Sequence, residues 1–266
     1  MLTPATREHP PHTREALLSI VTRLRAAGCV FAEDEAELLI STARSTIELD
    51  AMVERRVAGL PLEHVLGWAE FYGLRIHVSP GVFVPRRRTE FLIDQAVALT
   101  APPATVVDLC CGTGALGAAL AATLPGIDVH AADIDPAAVR CARRNLSQVY
   151  EGDLFEPLPA HLKGRIDILL ANTPYVPTDE VPLLPSEARD HEPKVALDGG
   201  SDGLDILRRV TAAAPEWLAP GGHLFIETSK RQAETAHEAF TQAGLHTRTA
   251  HSDDLNATVI IGQRAP

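Results

Sequence analysis

The most constraining feature of this sequence is a regular alternation of apolar strands and helices that begins near Ala104. Strands that are apolar along their whole length are buried on both faces, and helices between them indicate a mostly parallel sheet covered on both sides. The predicted strands are 105–109, 129–132, 166–170, 222–227 and 257–262, and the predicted helices are 115–124, 136–145, 202–214 and 232–243. We therefore predict an α/β fold for this part of the chain.

Residues before about Gly67 follow a different pattern, in which apolar residues recur at helical spacing. Three stripes predict three helices: Leu17, Ile20, Val21 and Leu24, then Ala36, Leu39, Ile40 and Ala43, then Met52, Val53 and Val57. Asp50 is the predicted cap of the third helix. The segment is either a small helical cap on a larger domain or a module that docks a substrate.

Aromatic and β-branched residues dominate from Glu70 to Val84, and turn residues at Gly73 and Pro80-Gly81 interrupt them. This pattern predicts a β-hairpin between the two parts of the chain. We divide the chain into a helical domain over residues 1–68, a hairpin linker over residues 69–85 and an α/β domain over residues 86–266.

The charge balance argues against one class of partner. The chain has 35 Asp and Glu residues against 24 Lys and Arg, a formal net charge of −11. Such a surface repels phosphate backbones, so we expect no direct nucleic-acid binding. No stretch approaches the roughly 20 apolar residues that span a bilayer, and the first residues lack the apolar core of a signal peptide. We expect a cytoplasmic monomer with no membrane contact.

The cysteines and histidines predict no metal site. Cys29, Cys110, Cys111 and Cys141 contain no C-x-x-C pair, and the eleven histidines form no H-x-H or H-E-x-x-H motif.

A glycine-rich loop follows the first strand of the predicted α/β domain. Residues 112–117 match G-x-G-x-x-G and open a helix, where glycine lets the backbone approach a ligand and the helix N-terminus attracts a negative group. Asp133 ends the next strand, where a carboxylate can hold both hydroxyls of a ribose. Taken alone, these features fit a dinucleotide site as well as an S-adenosylmethionine site.

The position of Asp108 favours the methyl donor. Asp108 closes the first strand, and three residues separate it from Gly112. A dinucleotide site usually places its first glycine directly after the strand, so that the pyrophosphate lies over the turn. S-adenosylmethionine has no pyrophosphate but carries a sulfonium and an ammonium, and an acid beside the loop suits that positive charge. A nicotinamide oxidoreductase stays as the weaker alternative.

A second group of residues, Asn172, Thr173, Pro174 and Tyr175, follows the strand predicted at 166–170. A planar NH2 group is a poor nucleophile because its lone pair is delocalised, so an enzyme that methylates it must accept both N–H hydrogens. The Asn172 side-chain oxygen can accept one hydrogen and the Thr173 carbonyl the other. Pro174 favours an extended Thr173, and Tyr175 can pack against the planar group. This tetrad therefore predicts methyl transfer to a planar nitrogen.

At these residues the chain resembles the HemK-type protein-(glutamine-N5) methyltransferases, which methylate the glutamine of the GGQ loop in peptide-chain release factors. The likeness runs from about Phe31 to the C-terminus and includes PLEHVLGWAEFYGL, VFVPRRRTEFL, DLCCGTGALG, AADIDPAAV, GDLF, NTPYVP and the long run EARDHEPKVALDGGSDGLDILRRV at 187–210. The resemblance implies a Rossmann-like class I S-adenosylmethionine-dependent methyltransferase with a seven-stranded, mostly parallel sheet whose last strand, near Val259, runs antiparallel. It also implies that the N-terminal helices dock the release factor.

The resemblance, carried over position by position, implies two sets of site residues. The cofactor-binding set is Asp108, Cys110, Cys111, Gly112, Thr113, Gly114, Asp133, Ile134, Asp153, Leu154 and Asn172. Within it Asp133 holds the ribose, and Asp153 and Leu154 flank the adenine. The catalytic and substrate-binding set is Asn172, Thr173, Pro174 and Tyr175. The implied cofactor is S-adenosylmethionine, converted to S-adenosylhomocysteine without a metal.

The chain departs from the usual family pattern in three places. Thr173 replaces the first proline of Asn-Pro-Pro-Tyr, which makes the loop less stiff. Arg87 and Arg88 replace a proline and a carboxylate in Pro-Arg-Pro-Glu-Thr-Glu, and Cys110 stands where glycine is commoner. The arginines form either a solvated turn paired with acids or an acceptor surface suited to an anionic partner. Together with Thr173, they leave open the interpretation that the chain is a divergent member of the family with a different acceptor.

Two other interpretations stay open. The tetrad also occurs in enzymes that methylate the exocyclic amine of adenine in DNA, although those enzymes usually need a basic region and must extract the base. The net charge of −11 and the short helical segment argue against that substrate. A non-catalytic protein that binds S-adenosylmethionine and a partner is the second alternative, supported by the changes at Thr173, Arg87 and Arg88.

Overall fold

The computed structural model describes residues 12–266, which divide into two compact units between Leu66 and Gly67. The first unit contains the helices α1 (His12–Ala26), α2 (Ala32–Thr42), α3 (Thr46–Val57) and α4 (Leu62–Leu66). Leu24, Leu39 and Val53, one from each predicted stripe, are fully buried in its core.

The start of α3 corrects one sequence prediction. Ser45 caps the helix, because its hydroxyl accepts a hydrogen bond from the Glu48 backbone N–H at 3.2 Å. The Glu48 carboxylate in turn accepts from the Arg44 N–H at 2.7 Å. Ser45 and Glu48 thus have the spacing of a capping box. Asp50, the predicted cap, lies inside α3 instead.

The second unit begins with an antiparallel hairpin of β1 (Trp68–Phe71) and β2 (Leu74–His77). Its later elements are α5 (Glu90–Leu99), β3 (Thr105–Leu109), α6 (Ala115–Thr123), β4 (Asp128–Asp133), α7 (Pro136–Ala142), β5 (Val149–Glu151), β6 (Ile166–Ala171), α8 (Ser186–His191), α9 (Asp205–Trp217), β7 (Leu218–Thr228), α10 (Ala233–Gln242), β8 (His246–Ser252) and β9 (Ala257–Gln263). The hairpin strands occupy only the first part of the predicted linker.

The seven later strands form one sheet in the order β5-β4-β3-β6-β7-β9-β8. Neighbouring strands are parallel from β5 to β7, whereas β9 is antiparallel to both β7 and β8. From β3 the chain adds strands on one side as far as β5 and then returns to place β6 on the other side. The strand order therefore reverses between β3 and β6, and a crevice that binds ligands lies at such a reversal.

Both faces of the sheet are buried, as the apolar strands predict. Val107 and Leu169 belong to one apolar cluster, and their chain neighbours Val106, Ile168 and Leu170 belong to another. Because successive side chains of a strand point to opposite faces, the two clusters lie on the two sides of the sheet. The predicted class I fold with its antiparallel strand near Val259 is confirmed. Within residues 12–266 no helix has the length and apolar character needed to cross a bilayer.

Candidate active site

Polar groups lie at the carboxyl ends of the parallel strands, and in the description of the site below this end of the sheet is called its edge. The register pairs Leu109 with Ala132 and with Ala171, and it pairs Ala171 with Ile226. The residues that follow these four on β3, β4, β6 and β7 therefore lie at one level, and adjacent strands are roughly 4.8 Å apart. These residues are Cys110, Asp133, Asn172 and Glu227. Three of the four are predicted site residues, and the fourth, Glu227, is new.

The loop after β3 uses backbone conformations that favour glycine. The φ angles are 53° at Cys110, 55° at Gly112 and 76° at Gly114. A residue with a Cβ rarely adopts positive φ, which explains why glycine would suit position 110. A Cβ on Gly114 would lie 2.9 Å from the Leu146 Cδ1. The loop therefore has little freedom to accept larger residues at Gly114.

Asp133 ties this loop to β4. Its Oδ2 accepts a hydrogen bond from the Gly112 N–H at 2.8 Å, and its Oδ1 accepts from the Asp135 N–H at 2.9 Å. The Cys111 N–H donates to the Ala132 carbonyl at 3.1 Å. Burial raises the pKa of Asp133, and the bonds from Asp135 and Gly112 oppose that shift. Each carboxylate oxygen keeps a further lone pair, so Asp133 can still accept hydrogen bonds from two hydroxyls.

Asp108 is a fully buried carboxyl directly behind the loop. Its Oδ2 accepts from the Gly117 N–H at 3.0 Å, and its Oδ1 has no hydrogen-bond partner in the part of the chain that the structure describes. Burial raises its pKa to about 8; the Gly117 bond opposes the shift and the charge of Asp133 adds to it. A buried acid of this kind suits a cationic ligand, because a nearby positive charge stabilises its ionised form.

The raised pKa of Asp108 predicts a pH-dependent stability. The folded protein keeps a proton on Asp108 that the unfolded chain releases, so the free energy of unfolding should fall as pH rises from about 4 to about 8. Asp108→Asn should flatten this slope in urea unfolding measured across that range without ligand. The exposed Asp254→Asn should keep the wild-type slope. An unchanged slope in Asp108→Asn would contradict the assignment.

The other predicted cofactor residues lie near β4 and β5. Ile134 follows Asp133 and has 52% of its surface exposed. The Gly152 N–H donates to the Asp133 carbonyl at 3.0 Å, which brings the turn after β5 to the edge. In that turn Leu154 has a φ of 50°, and Asp153 accepts from the Arg209 Nη2 at 2.5 Å. One carboxylate oxygen of Asp153 is thus paired with an arginine.

The tetrad after β6 holds two buried oxygens without partners. The Asn172 Oδ1 and the Thr173 Oγ1 are both buried and make no hydrogen bond with any described residue. Thr173 is 1% exposed and Pro174 is also buried. Buried polar atoms in proteins almost always have a partner. The Asn172 oxygen is therefore suited to accept an N–H from a bound molecule.

The Tyr175 side chain reaches the end of β7, where it contacts Glu227. Its hydroxyl donates to the Glu227 Oε1 at 3.3 Å and accepts a hydrogen bond from the Arg88 Nη2. Burial raises the pKa of Tyr175 to about 12, with the charge of Glu227 adding to the shift. The phenol therefore stays neutral at physiological pH.

The segment 197–203, within the long run at 187–210, supports the backbone of the tetrad. The Val176 N–H donates to the Leu197 carbonyl at 3.0 Å, and the Gly199 N–H donates to the Val176 carbonyl at 2.9 Å. The Gln232 Nε2 donates to the Tyr175 carbonyl at 2.9 Å. A Cβ on Gly203 would lie 2.2 Å from the same carbonyl oxygen. The run is thus a close backbone support for the tetrad.

Asn145 is a supporting residue that the sequence analysis did not identify. Its Nδ2 donates to the Thr113 carbonyl at 2.8 Å and to the His77 carbonyl at 3.0 Å, and its Oδ1 accepts from the His77 N–H at 2.9 Å. It therefore joins the glycine loop to the hairpin. The sequence analysis placed it at the end of a helix, and nothing in its neighbourhood indicates these contacts.

Asn145→Ala should destabilise the protein by roughly 2 kcal/mol, because three partly buried hydrogen bonds are lost. It should also weaken the predicted binding of S-adenosylmethionine several-fold, since the Thr113 carbonyl is no longer held. Urea unfolding and calorimetry measure both effects, and the exposed Ser147→Ala serves as the control. Wild-type stability and affinity in Asn145→Ala would show that these bonds contribute little.

The three consecutive arginines Arg86, Arg87 and Arg88 form a turn, called the arginine turn below. Two of the three pair with acids. The Arg86 Nη2 donates to both carboxylate oxygens of Glu192 at 2.6 Å, and the Arg88 Nε donates to the Glu227 Oε1 at 3.1 Å. Both acids are buried. Arg87 is exposed and has no ion pair with any residue that the structure describes. Across residues 12–266, no group of three His, Cys, Asp or Glu side chains is arranged to hold a metal.

Sequence comparison finds relatives over most of the chain. Residues 73–182 match the family model described as the methyltransferase small domain. The release factor glutamine methyltransferase of Geobacter sulfurreducens is 38% identical over 80% of this chain and 76% of its own length. The enzyme of the same name from Mycolicibacterium smegmatis is 36% identical over 91% of this chain and 93% of its own.

Solved structures support the fold. A methyltransferase from Pyrococcus furiosus superposes with a TM-score of 0.56 at 16% identity, covering 82% of this chain and 98% of that one. The E. cuniculi Mtq2–Trm112 complex, described as responsible for methylation of the eRF1 termination factor, gives a TM-score of 0.52 at 20% identity, covering 70% of this chain and 99% of that one.

Proposed function

The chain belongs to the release factor glutamine methyltransferase family, and from this premise we propose that it transfers a methyl group from S-adenosylmethionine to the side-chain amide nitrogen of a protein glutamine. The proposed acceptor is the glutamine in the GGQ loop of a peptide-chain release factor. The products are the N5-methylated glutamine and S-adenosylhomocysteine.

One observation carries the proposal: at the carboxyl end of β6, the buried Asn172 Oδ1 has no hydrogen-bond partner in the described part of the chain. An amide NH2 group has two hydrogens to donate, and an oxygen at this place accepts one of them. The neighbouring Thr173 contributes a backbone carbonyl for the second hydrogen. The side chain of residue 173 is not used in this arrangement, so threonine there is compatible with the reaction.

The edge of the sheet fits the methyl donor. Bound S-adenosylmethionine supplies an electrophilic methyl group on a sulfonium. We assign the ribose hydroxyls to Asp133, the adenine to Asp153 and Leu154, and the donor carboxylate to the N–H groups of the glycine loop and the start of α6. Asp108, whose buried Oδ1 has no partner among the residues that the structure describes, complements the positive charge of the donor. The assignment extends to Cys110, Cys111, Gly112, Thr113, Gly114 and Ile134.

The residues of this chain accelerate the transfer by positioning. Asn172 and Thr173 accept the two amide hydrogens and so direct the nitrogen lone pair towards the methyl group at near-attack distance. Positive charge develops on the nitrogen as it attacks, and the same two oxygens stabilise its hydrogens. The ring of Tyr175 packs against the planar amide. The product nitrogen releases its proton after the transfer, so no side chain must remove it beforehand.

We propose that the predicted domains divide this work, with residues 1–68 docking the acceptor protein, residues 69–85 linking the domains and residues 86–266 carrying out the transfer. We expect the protein in the cytoplasm, because the proposed acceptor acts in protein synthesis. The expected oligomeric state is a monomer.

The test uses purified protein, isotopically labelled S-adenosylmethionine and a release factor from the same source, with mass spectrometry of the GGQ peptide. We expect a gain of one methyl group on that glutamine. The same release factor with its GGQ glutamine replaced by alanine is the matched control and should gain none. No gain on the wild-type factor, with donor binding confirmed by calorimetry, would refute the proposed acceptor.

A further inference from the structure

Arg88 donates hydrogen bonds to Tyr175, a member of the tetrad, and to Glu227 at the end of β7. Its Nε donates to the Glu227 Oε1 at 3.1 Å, and its Nη2 donates to the Tyr175 hydroxyl. The same Glu227 oxygen accepts the Tyr175 O–H at 3.3 Å. The guanidinium carbon lies 5.8 Å from the centre of the Tyr175 ring. The three side chains thus form a closed set of hydrogen bonds at the end of β7.

Glu227 is a buried carboxylate, so the set of hydrogen bonds includes a charge that needs compensation. Its side chain is 2% exposed, and its Oε2 has no hydrogen-bond partner within the described chain. A carboxylate buried in this way is stable only beside a compensating charge. Arg88 supplies that charge while its own side chain stays 44% exposed. The cation therefore reaches the buried acid from the open side of the site.

Arginine is well suited to this double contact. Its guanidinium is planar and carries several N–H donors in a fixed arrangement, so one side chain can hold two acceptors at once. A lysine at the same position offers a single point charge without that geometry. A carboxylate at position 88 would repel Glu227. The contact is therefore specific to a chain with arginine at this position.

We propose that Arg88, together with Glu227, is a positioning residue that holds the Tyr175 hydroxyl and thereby orients the tyrosine ring against the acceptor amide. This inference rests on the proposed function of the tetrad. It also changes the interpretation of the arginine turn, because the charge of Arg88 is paired with the buried Glu227 and is therefore less available to attract an anionic partner.

A double-mutant cycle tests the proposal. Arg88→Met should lower kcat for the release factor about tenfold, the scale expected for losing a hydrogen bond from a charged group. The affinity for S-adenosylmethionine and the KM for the release factor should each stay within about twofold, as expected for an effect on orientation alone. In a Tyr175→Phe background, the same substitution should lower kcat by less than about twofold, because residues that act as a unit are not additive.

Equal losses in the two backgrounds would overturn the proposal, and so would a loss confined to donor affinity. Arg87→Met removes a neighbouring exposed arginine and should leave kcat unchanged. If Arg88→Met does not fold, Arg88→Lys keeps a positive charge near Glu227, and the cycle is run with that variant. We expect Arg88→Lys to retain wild-type stability in urea and to lose most of the same factor in kcat.

A second measurement does not depend on activity. The protein has three tyrosines, so labelling with ¹³Cζ-tyrosine gives three NMR signals, and Tyr175→Phe assigns one of them. Arg88→Met should shift the Tyr175 signal and leave that of Tyr150, on β5, unchanged. An unshifted Tyr175 signal would show that the contact is absent in solution. A shifted signal in a protein without methyltransferase activity would retain the contact and refute only the proposed function.

Discussion

Asn172→Ala should lower the rate of glutamine methylation by about a thousandfold or more, while the affinity for S-adenosylmethionine changes by no more than a few-fold. The substitution removes the buried oxygen that has no hydrogen-bond partner among residues 12–266. Without it one amide hydrogen is unpaired and the nitrogen is not oriented, and the loss of one such preorganised group commonly costs two to three orders of magnitude, roughly 100- to 1,000-fold. The remaining loss comes from orientation.

Single-turnover kinetics with the release factor and calorimetry with the donor measure the two quantities separately. Asn256→Ala, in the turn between β8 and β9, changes the same residue type at the same end of the sheet but at least two strands from β6, and it should leave both quantities unchanged. Wild-type turnover in Asn172→Ala would remove the central role given to this residue.

Gly203→Ala should destabilise the protein by about 3 kcal/mol or more, in the range of the most disruptive single substitutions, and should also strongly reduce methyl transfer. The new Cβ would lie 2.2 Å from the Tyr175 carbonyl oxygen and 2.3 Å from the Gln232 Nε2, which is closer than any real contact. The backbone must therefore shift at Tyr175, which belongs to the tetrad. Gly203 also has a φ of 78°, which disfavours alanine by itself.

Gly221→Ala separates these two effects. Gly221 has a φ of 79°, but among residues 12–266 no atom beyond its two chain neighbours lies within 4 Å of an added Cβ. It should show only the cost of the conformation, about 1 kcal/mol, with unchanged activity. Urea unfolding and kcat are measured for both variants. Equal effects in the two would show that the close approach at Gly203 is unimportant.

The central strands could be predicted from sequence because burial on both faces leaves a continuous apolar run. Thr105–Leu109 matches the predicted strand at both ends, and α7 begins at Pro136 as predicted, with the Asp135 carboxylate accepting from the Ala137 N–H at 2.8 Å. The edge strands did not give this signal. Val149–Glu151 has only three residues, and His246–Ser252 is largely polar, since an edge strand is less buried.

The candidate site divides in the same way. The glycine loop, Asp133 and Asn172 follow directly from strand ends, because each lies where a predicted strand stops. The residues that support them depend on contacts between distant parts of the chain. Asn145 meets a residue 68 positions earlier, and Tyr175 meets Glu227, 52 positions later. No local pattern records such pairs, so only the folded structure identifies them.

The close support of the tetrad by residues 197–203 has a consequence for how this site can change during evolution. In the proposed mechanism residue 173 contributes only its main-chain carbonyl, which is present whatever its side chain, so the chemistry does not require proline there. The place of the carbonyl is set by the neighbouring backbone, where Gly199 and Gly203 leave no room for a Cβ. Genome searches for active relatives should therefore weigh these two glycines and Gln232 above the second letter of the tetrad, and should retain sequences that a strict Asn-Pro-Pro-Tyr filter discards.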